Sequence, residues 1–490
     1  MIALSLAEIA RIVGGKPQDI PDTSVTVTGP VVVDSRAVQK GGLFAAFAGE
    51  HVDGHDYAAQ AVAAGAVAVL ATRPVGVPAL VVDDVQTALG ALARAVVRRL
   101  GATVVALTGS VGKTSTKDLI AQVLQAHAPT VWTPGSLNNE IGLPLTALTA
   151  TEDTRYLVLE MGARGLGHIR YLTDLTPPRI GLVLNVGTAH LGEFGGRAQI
   201  AQAKGELVEA LPPADAGGIA VLNADDPLVR AMAARTKARV VLFSAVDEPG
   251  ETGEAVVRAE NVRLTATGQP AFRLHTPSGC SDVTLRLYGE HHVSNALAAA
   301  AVAHELGMSV SEIAQALSGA GTLSRWRMEV TERPDGVTVV NDAYNANPES
   351  MRAALRALAT MGEARRAKGG RTWAVLGQMA ELGDEALAEH DAIGRLAVRL
   401  NVSKLVAVGD QEAAWLRAGA YNEGSWGEES VHVSDAQAAV DLLRTELRPG
   451  DVVLVKASRA VGLERVATAL LDTADPSGQS GRGEGEVAAR

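Results

Sequence analysis

One cysteine, Cys280, is all the thiol chemistry the chain has, so no disulfide can form within it and the sequence suits a reducing compartment. A free cysteine behaves mostly as a small hydrophobe, and Cys280 is expected to be a partly buried structural thiol. Aromatics are scarce too, 3% of the residues, which leaves Ala, Val and Leu to build the cores. No apolar run reaches the roughly 18 residues needed to span a bilayer. The N-terminus MIALSLAEIARIVGG carries Glu8 early and lacks both a basic stretch and a small-residue cleavage site, so it reads as an amphipathic helix and not as an export signal. These absences imply a soluble cytoplasmic protein with no stable membrane insertion. Positive charge is not in excess either: a formal net charge of −11 leaves no basic face for a nucleic acid.

What is present is ordinary globular material, 47% hydrophobic and 20% charged over 490 residues, too long for one core. Short apolar runs alternate with Ala-rich helical stretches. Strands are expected at Ala102–Leu107, Tyr156–Glu160, Ile180–Asn185, Gly218–Leu222, Val337–Asn341, Thr372–Leu376, Leu405–Val408 and Val452–Val455. Helices are expected at Lys117–Ala126, Ile200–Ala210, Ser294–Leu306 and Ser350–Leu358. This alternation predicts an α/β protein with parallel sheets covered by helices. Three segments separate by pattern: 1–98, a small α/β unit; 99–321, opening on a glycine-rich strand–helix turn; and 322–473, where the pattern restarts. Residues 474–490 lack apolar periodicity and are expected to form a disordered tail.

Polar and ionisable residues gather where the apolar strands end: Thr108, Glu160, Asn185, Asp342, and Lys456 with Ser458. Ligands of open α/β sheets bind at the carboxyl ends of strands, so this pattern locates a site. The strongest motif is Thr108-Gly109-Ser110-Val111-Gly112-Lys113-Thr114, between a strand and a helix. Its glycines let backbone N–H groups turn around an anion at a helix N-terminus. Lys113 would neutralise the β- and γ-phosphates and Thr114 would ligate Mg²⁺. The glycine spacing is two residues shorter than the usual Walker A form, which disfavours a generic kinase or GTPase.

Glu160, ending an otherwise apolar strand, is either a Mg²⁺ ligand or a paired structural carboxylate. His190, in a loop after the next strand, is either a ligand or structural. Lys204 lies in IAQAKGELVEAL, where a snorkelling surface cation is the plain alternative to a functional amine. Asn295, in GEHHVSNALAA, could read an adenine edge or cap its helix.

Taken together, TGSVGKTS, LEMG, NVGTAH, AKGE, NADDP and GEHHVSNALAA resemble the Mur ligase family, which includes the folylpolyglutamate synthases, in its motif order and over nearly the whole chain. The resemblance implies three domains: a small N-terminal α/β domain for the UDP-muramoyl substrate, a central P-loop-type parallel-sheet domain for ATP and a C-terminal Rossmann-like domain. It implies an ATP-dependent amide ligase forming an acyl phosphate. Lys113 and Thr114 would bind triphosphate and Mg²⁺, with Glu160 and His190 completing a site for two metal ions. Lys204 matches the lysine that becomes a CO₂-derived carbamate. Asn295, Arg327 and Asp342 match contacts to adenine, phosphate and ribose, with Arg325 the alternative to Arg327. Ser35 and Arg36 match the UDP-receiving segment, and Asn138, Asn139, Tyr344, Asn345, Asn347, Lys456, Ser458 and Arg459 are further substrate candidates. Segments such as PGSLNNEIGLPLT, NDAYNANPESM and LGQMAELG imply UDP-N-acetylmuramoyl-tripeptide and D-alanyl-D-alanine as the substrates. Another ligase of the superfamily, such as a folylpolyglutamate synthase, is the alternative, against which the N-terminal DSRAV…GGLF…DGH segment speaks. The split of candidate ATP contacts between two segments implies closure over the nucleotide. A monomer is the default, and the third residue of the tripeptide, diaminopimelate or lysine, is not legible.

Overall fold

A computed structural model describes residues 1–49, 51–187, 196–246 and 257–472. They form two compact units, Met1–Arg325 with Glu381–Gly383, and Trp326–Ala380 with Asp384 onward.

The first helix, Leu6–Val13, begins where the sequence signals it: the Ser5 hydroxyl accepts from the Glu8 N–H and the Glu8 carboxylate reaches back to the Ser5 N–H. It buries Leu6, Ile9 and Ala10. A five-stranded sheet follows, with Ala79–Val81, Ala68–Ala71, Leu43–Ala45 and Val31–Val32 running parallel and Lys16–Gln18 antiparallel at one edge. The helix Val85–Leu100 joins this sheet to the next and shares one apolar core with it, where Leu89, Leu92 and Val96 meet Leu143, Leu172 and Leu175. Gly90 allows the close approach, since a Cβ there would stand 2.8 Å from a Leu175 methyl.

The larger sheet has nine strands. From Arg239–Ser244 through Ile219–Asn223, Ile180–Val183, Thr103–Thr108 and Tyr156–Glu160 to Thr130–Trp132 neighbours are parallel. The four central ones, Ile219–Asn223, Ile180–Val183, Thr103–Thr108 and Tyr156–Glu160, are buried almost throughout, on both faces, which accounts for runs such as VVAL and YLVL. At the other edge Val257–Leu264, Pro270–Thr276 and Gly279–Thr284 add an antiparallel extension. Cys280 lies in its outermost strand and is exposed, contrary to the expected partly buried thiol, because an edge strand turns alternate residues to solvent.

The second unit is a six-stranded sheet. Thr338–Asn341, Val452–Lys456, Thr372–Leu376, Lys404–Val408 and Ser430–Val433 are parallel, and Glu329–Glu332 is an antiparallel edge. Both units thus have the α/β character the alternating pattern implies. Among the described residues, no helix is long and apolar enough to cross a membrane.

Candidate active site

The strand Thr103–Thr108 sits between Ile180–Val183 and Tyr156–Glu160. Registers pair Val183 with Thr108 and Glu160 with Leu107, so the polar residues that close these strands emerge at one end of the sheet. The chain then turns through Gly109–Gly112 and enters the helix Lys113–Gln125. Gly112 caps that helix at φ +80°, a conformation that glycine adopts without strain, and no side chain occupies the cap position. The positive end of the helix dipole therefore lies at this turn, where it favours an anion. Lys113 folds back so that its Nζ donates to the carbonyls of Gly109 (2.8 Å) and Ser110 (3.4 Å). Thr114 is buried at the same turn.

Asn185 holds the loop in shape. Its side-chain oxygen accepts from the N–H groups of Ser110 and Val111, both at 2.9 Å, and its amide donates to the Val111 carbonyl at 3.0 Å. The strand before it ends at Val183, two residues earlier than the sequence suggests, because Asn185 turns toward the loop. The Ser110 hydroxyl accepts from the Gly187 N–H (2.9 Å), and Asp226 accepts from the Val186 N–H (2.7 Å). Asn185 and Asp226 are positioning residues absent from the expected site set. Their only signals in the sequence were a place at a strand end and the NADDP turn.

Glu160 is 1% exposed. Its Oε1 accepts from the Asn138 amide at 2.6 Å, while Oε2 is buried and meets no donor among the described residues. A buried carboxylate oxygen without a partner is expensive. Such an oxygen, near a phosphate loop and a buried Thr114, fits the hard-oxygen donor set that Mg²⁺ takes alongside substrate phosphates and water. The Thr108 hydroxyl is likewise buried and, among the described residues, has no partner. Among the same residues no three His, Cys, Asp or Glu side chains gather as a self-sufficient metal cage. His190 lies outside the described residues.

Lys204, in the helix Arg197–Glu209, is buried and not the surface cation that its helical setting allowed. Burial pushes its pKa well below the ordinary lysine value, and the like charge of Lys113 pushes it further. Asn295 does not cap its helix: the cap position is His291, and Asn295 lies inside the first turn with its Oδ1 against Gly112, where a Cβ would come within 2.8 Å. Asn139 accepts from the Gly142 N–H and so shapes the loop after Asn138. In the short 3-10 turn Ser35–Ala37, which follows the strand Val31–Val32, Ser35 is buried, and exposed Arg36 pairs with Asp34 at 2.7 Å.

The second unit gathers the other expected residues. Lys456 Nζ lies 2.7 Å from Asp342 Oδ2 and 2.8 Å from the Asn345 carbonyl. Burial lowers the Lys456 pKa, and Asp342 opposes that shift. Arg327 stacks on Tyr344 at 4.1 Å and Arg459 on Trp326 at 4.4 Å. Ser458 accepts from the Ala380 N–H at 2.8 Å. Asn347 is the cap of the helix Pro348–Arg366, bonded to the Ser350 N–H, so its side chain serves local structure. Arg325 closes the first unit and Arg327 belongs to the second.

Three stretches match domains of one family: 30–97 the Mur ligase family catalytic domain, 107–303 the Mur ligase middle domain and 326–459 the Mur ligase glutamate ligase domain. The chain belongs to the Mur ligase family. Within that family it is 52% identical to a UDP-N-acetylmuramoyl-tripeptide–D-alanyl-D-alanine ligase of Mycobacterium tuberculosis, over 96% of this chain and 98% of that protein. Its fold is similar to a crystal structure of MurF from Acinetobacter baumannii, with TM-score 0.83 and 32% identity over 96% and 99% of the two chains. It is also similar to MurF ligase from Thermotoga maritima in complex with ADP, with TM-score 0.77 and 30% identity over 91% and 98%.

Proposed function

We propose that the chain is an ATP-dependent amide ligase that joins D-alanyl-D-alanine to UDP-N-acetylmuramoyl-tripeptide, forming a pentapeptide precursor of peptidoglycan in the cytoplasm. The observation that carries this reading is its 52% identity with a ligase of that name over nearly the full length of both proteins. In chemical terms, a tripeptide carboxylate oxygen attacks the γ-phosphorus of ATP, the bond to the β-phosphate oxygen breaks, and ADP leaves. The D-alanyl-D-alanine amine then attacks the acyl carbon, phosphate departs and the nitrogen gives up a proton.

The first step brings two anions together, so positioning and charge neutralisation dominate catalysis. Lys113 and the loop Thr108–Thr114 that leads into its helix receive the triphosphate. Mg²⁺, two ions in the full site, would be held by Thr114 and Glu160, with His190 and Lys204 in its carbamate form as further ligands, and would neutralise the triphosphate. Asn295, Arg327 and Asp342 are assigned to the nucleotide. Ser35 and Arg36 are assigned to the UDP portion within 1–98. Asn138, Asn139, Tyr344, Asn345, Lys456, Ser458 and Arg459 are assigned to the peptide substrates.

The carbamate has a chemical rationale in this chain. Burial lowers the Lys204 pKa and so favours the neutral amine, whose nitrogen adds to CO₂ with loss of one proton to give an anionic carbamate. Labelled bicarbonate should give a carbamate carbon signal in the wild type that is missing from Lys204→Ala, and identical spectra would remove this part of the reading.

The whole reading is tested by ADP release. UDP-muramoyl-tripeptide with D-alanyl-D-alanine should support it, and a folate with glutamate should not. Turnover with the folate pair alone would move the chain to the other branch of the superfamily.

A further inference from the structure

Two loops beside Glu160 carry polar groups that the two chemical steps leave unused. One is 134–142, the other 161–168, and two hydrogen bonds tie them together. The Gly162 N–H donates to the Asn138 carbonyl at 2.9 Å, and His168 Nε2 meets Glu140 Oε2 at 3.1 Å. The Arg164 N–H donates to His168 Nδ1, which therefore carries no proton, so Nε2–H is the donor to Glu140. Glu140 and His168 are only partly covered, at 33% and 21% side-chain exposure, so the pair still faces solvent. Arg164 is exposed, and its charge acts on Glu140. Glu140 itself titrates below the usual carboxylate value, first through its own backbone N–H and then through His168 and Arg164. The same two loops expose Leu137 at 48% and Leu166 at 60%.

This combination has a recognisable chemistry. Two aliphatic pads, an ionised carboxylate and a guanidinium match a ligand with a methylene stem whose end carries both an ammonium and a carboxylate. Asn138 bonds Glu160 directly, so these loops flank the place where the tripeptide carboxylate must be activated. That carboxylate belongs to the third residue of the tripeptide, whose own side chain therefore lies within one side-chain length of the same spot. We propose that Glu140, oriented by His168, and Arg164 read the side chain of that third residue, and that they select a residue ending in ammonium and carboxylate, as diaminopimelate does, over one ending in ammonium alone, as lysine does. The proposal rests on the ligase reading above. Arg164 would then act twice, since engaging the distal carboxylate also leaves only the peptide-linked one for the phosphate.

Steady-state kinetics of the full chain with both UDP-muramoyl-tripeptides tests this. Wild type should show kcat/KM at least about tenfold higher for the diaminopimelate tripeptide, since a charged group left unpaired penalises the wrong substrate. Arg164→Met should remove most of that preference through KM and change the lysine tripeptide by less than about twofold, whereas Arg164→Lys should keep part of it. Glu140→Gln should weaken both tripeptides, because both carry the ammonium. Equal kcat/KM values in the wild type, or one common factor lost on both substrates in Arg164→Met, would overturn the proposal, the latter reducing Arg164 to a structural role. Should neither tripeptide support ADP release that depends on D-alanyl-D-alanine, the ligase reading fails first and takes the proposal with it.

Discussion

In the first unit the strand Tyr156–Glu160 ends on a carboxylate with one oxygen that no described group meets, whereas in the second unit the strand Val452–Lys456 ends on an ammonium gripped by Asp342 and by the Asn345 carbonyl. Both residues are almost wholly buried, at 1% and 2% exposure. Leaving a buried charged atom unmatched costs free energy that pairing would recover. The first arrangement is tolerable where an incoming cation completes it, and the second needs nothing further to be stable. One strand end is therefore incomplete until a cation arrives, the other is already held in shape before any ligand arrives, and substitutions should separate the two.

The largest effect is expected at the receiving end. Glu160→Gln keeps the size of the side chain but removes the anion, and kcat should fall on the order of 10³-fold with little loss of stability. Kinetics alongside thermal unfolding would check both halves. Lys456→Met should lose stability as well as activity. Removing one member of a buried pair strands the other, so the variant should lose about 3 kcal/mol in denaturant unfolding, and adding Asp342→Asn should restore part of it. Asn185→Ala sharpens the contrast from a third side: two loop N–H groups lose the side-chain oxygen that accepts from both, and ATP affinity should drop about tenfold, with the fold intact. The smallest effect concerns neither strand end. Asp53 caps a turn and pairs with His55 and Arg73, hydrogen bonds to His55 being foremost in bringing its pKa from 3.8 to about 2. A depressed carboxylate stabilises the fold above its unfolded pKa and loses that contribution as pH falls through the folded one. Wild type should therefore lose stability between about pH 4 and pH 2 in excess of Asp53→Asn, as acid unfolding would report.

Much of this contrast was legible in the residues. Runs that are apolar at successive positions gave the parallel strands, two of them, Tyr156–Glu160 and Thr372–Leu376, with the ends that the structure has. The antiparallel extension 257–284 went unread, although Thr267-Gly268 and Ser278-Gly279 are turn signals, because stretches such as VRAENVRL are half polar and lack the continuous apolar run of a buried strand. The helix of the phosphate loop begins at Lys113 and not at Lys117, since a helix that opens on a ligand site lacks the usual capping side chain. Burial of Lys204 could not be read from a helix whose apolar residues surround it on every side. Asn347, a candidate for substrate, is also a helix cap, a second role that the same short amide serves and that the sequence reading did not assign.

The central claim, that the unmatched oxygen of Glu160 is there to hold a nucleotide-bound magnesium ion, is tested most directly by titrating ATP into the protein with and without Mg²⁺, in wild type and in Glu160→Gln. The account predicts that Mg²⁺ tightens ATP binding in the wild type and that most of this gain disappears in the variant. Equal tightening in both proteins, or no retention of ATP by the wild type in magnesium buffer, would contradict it.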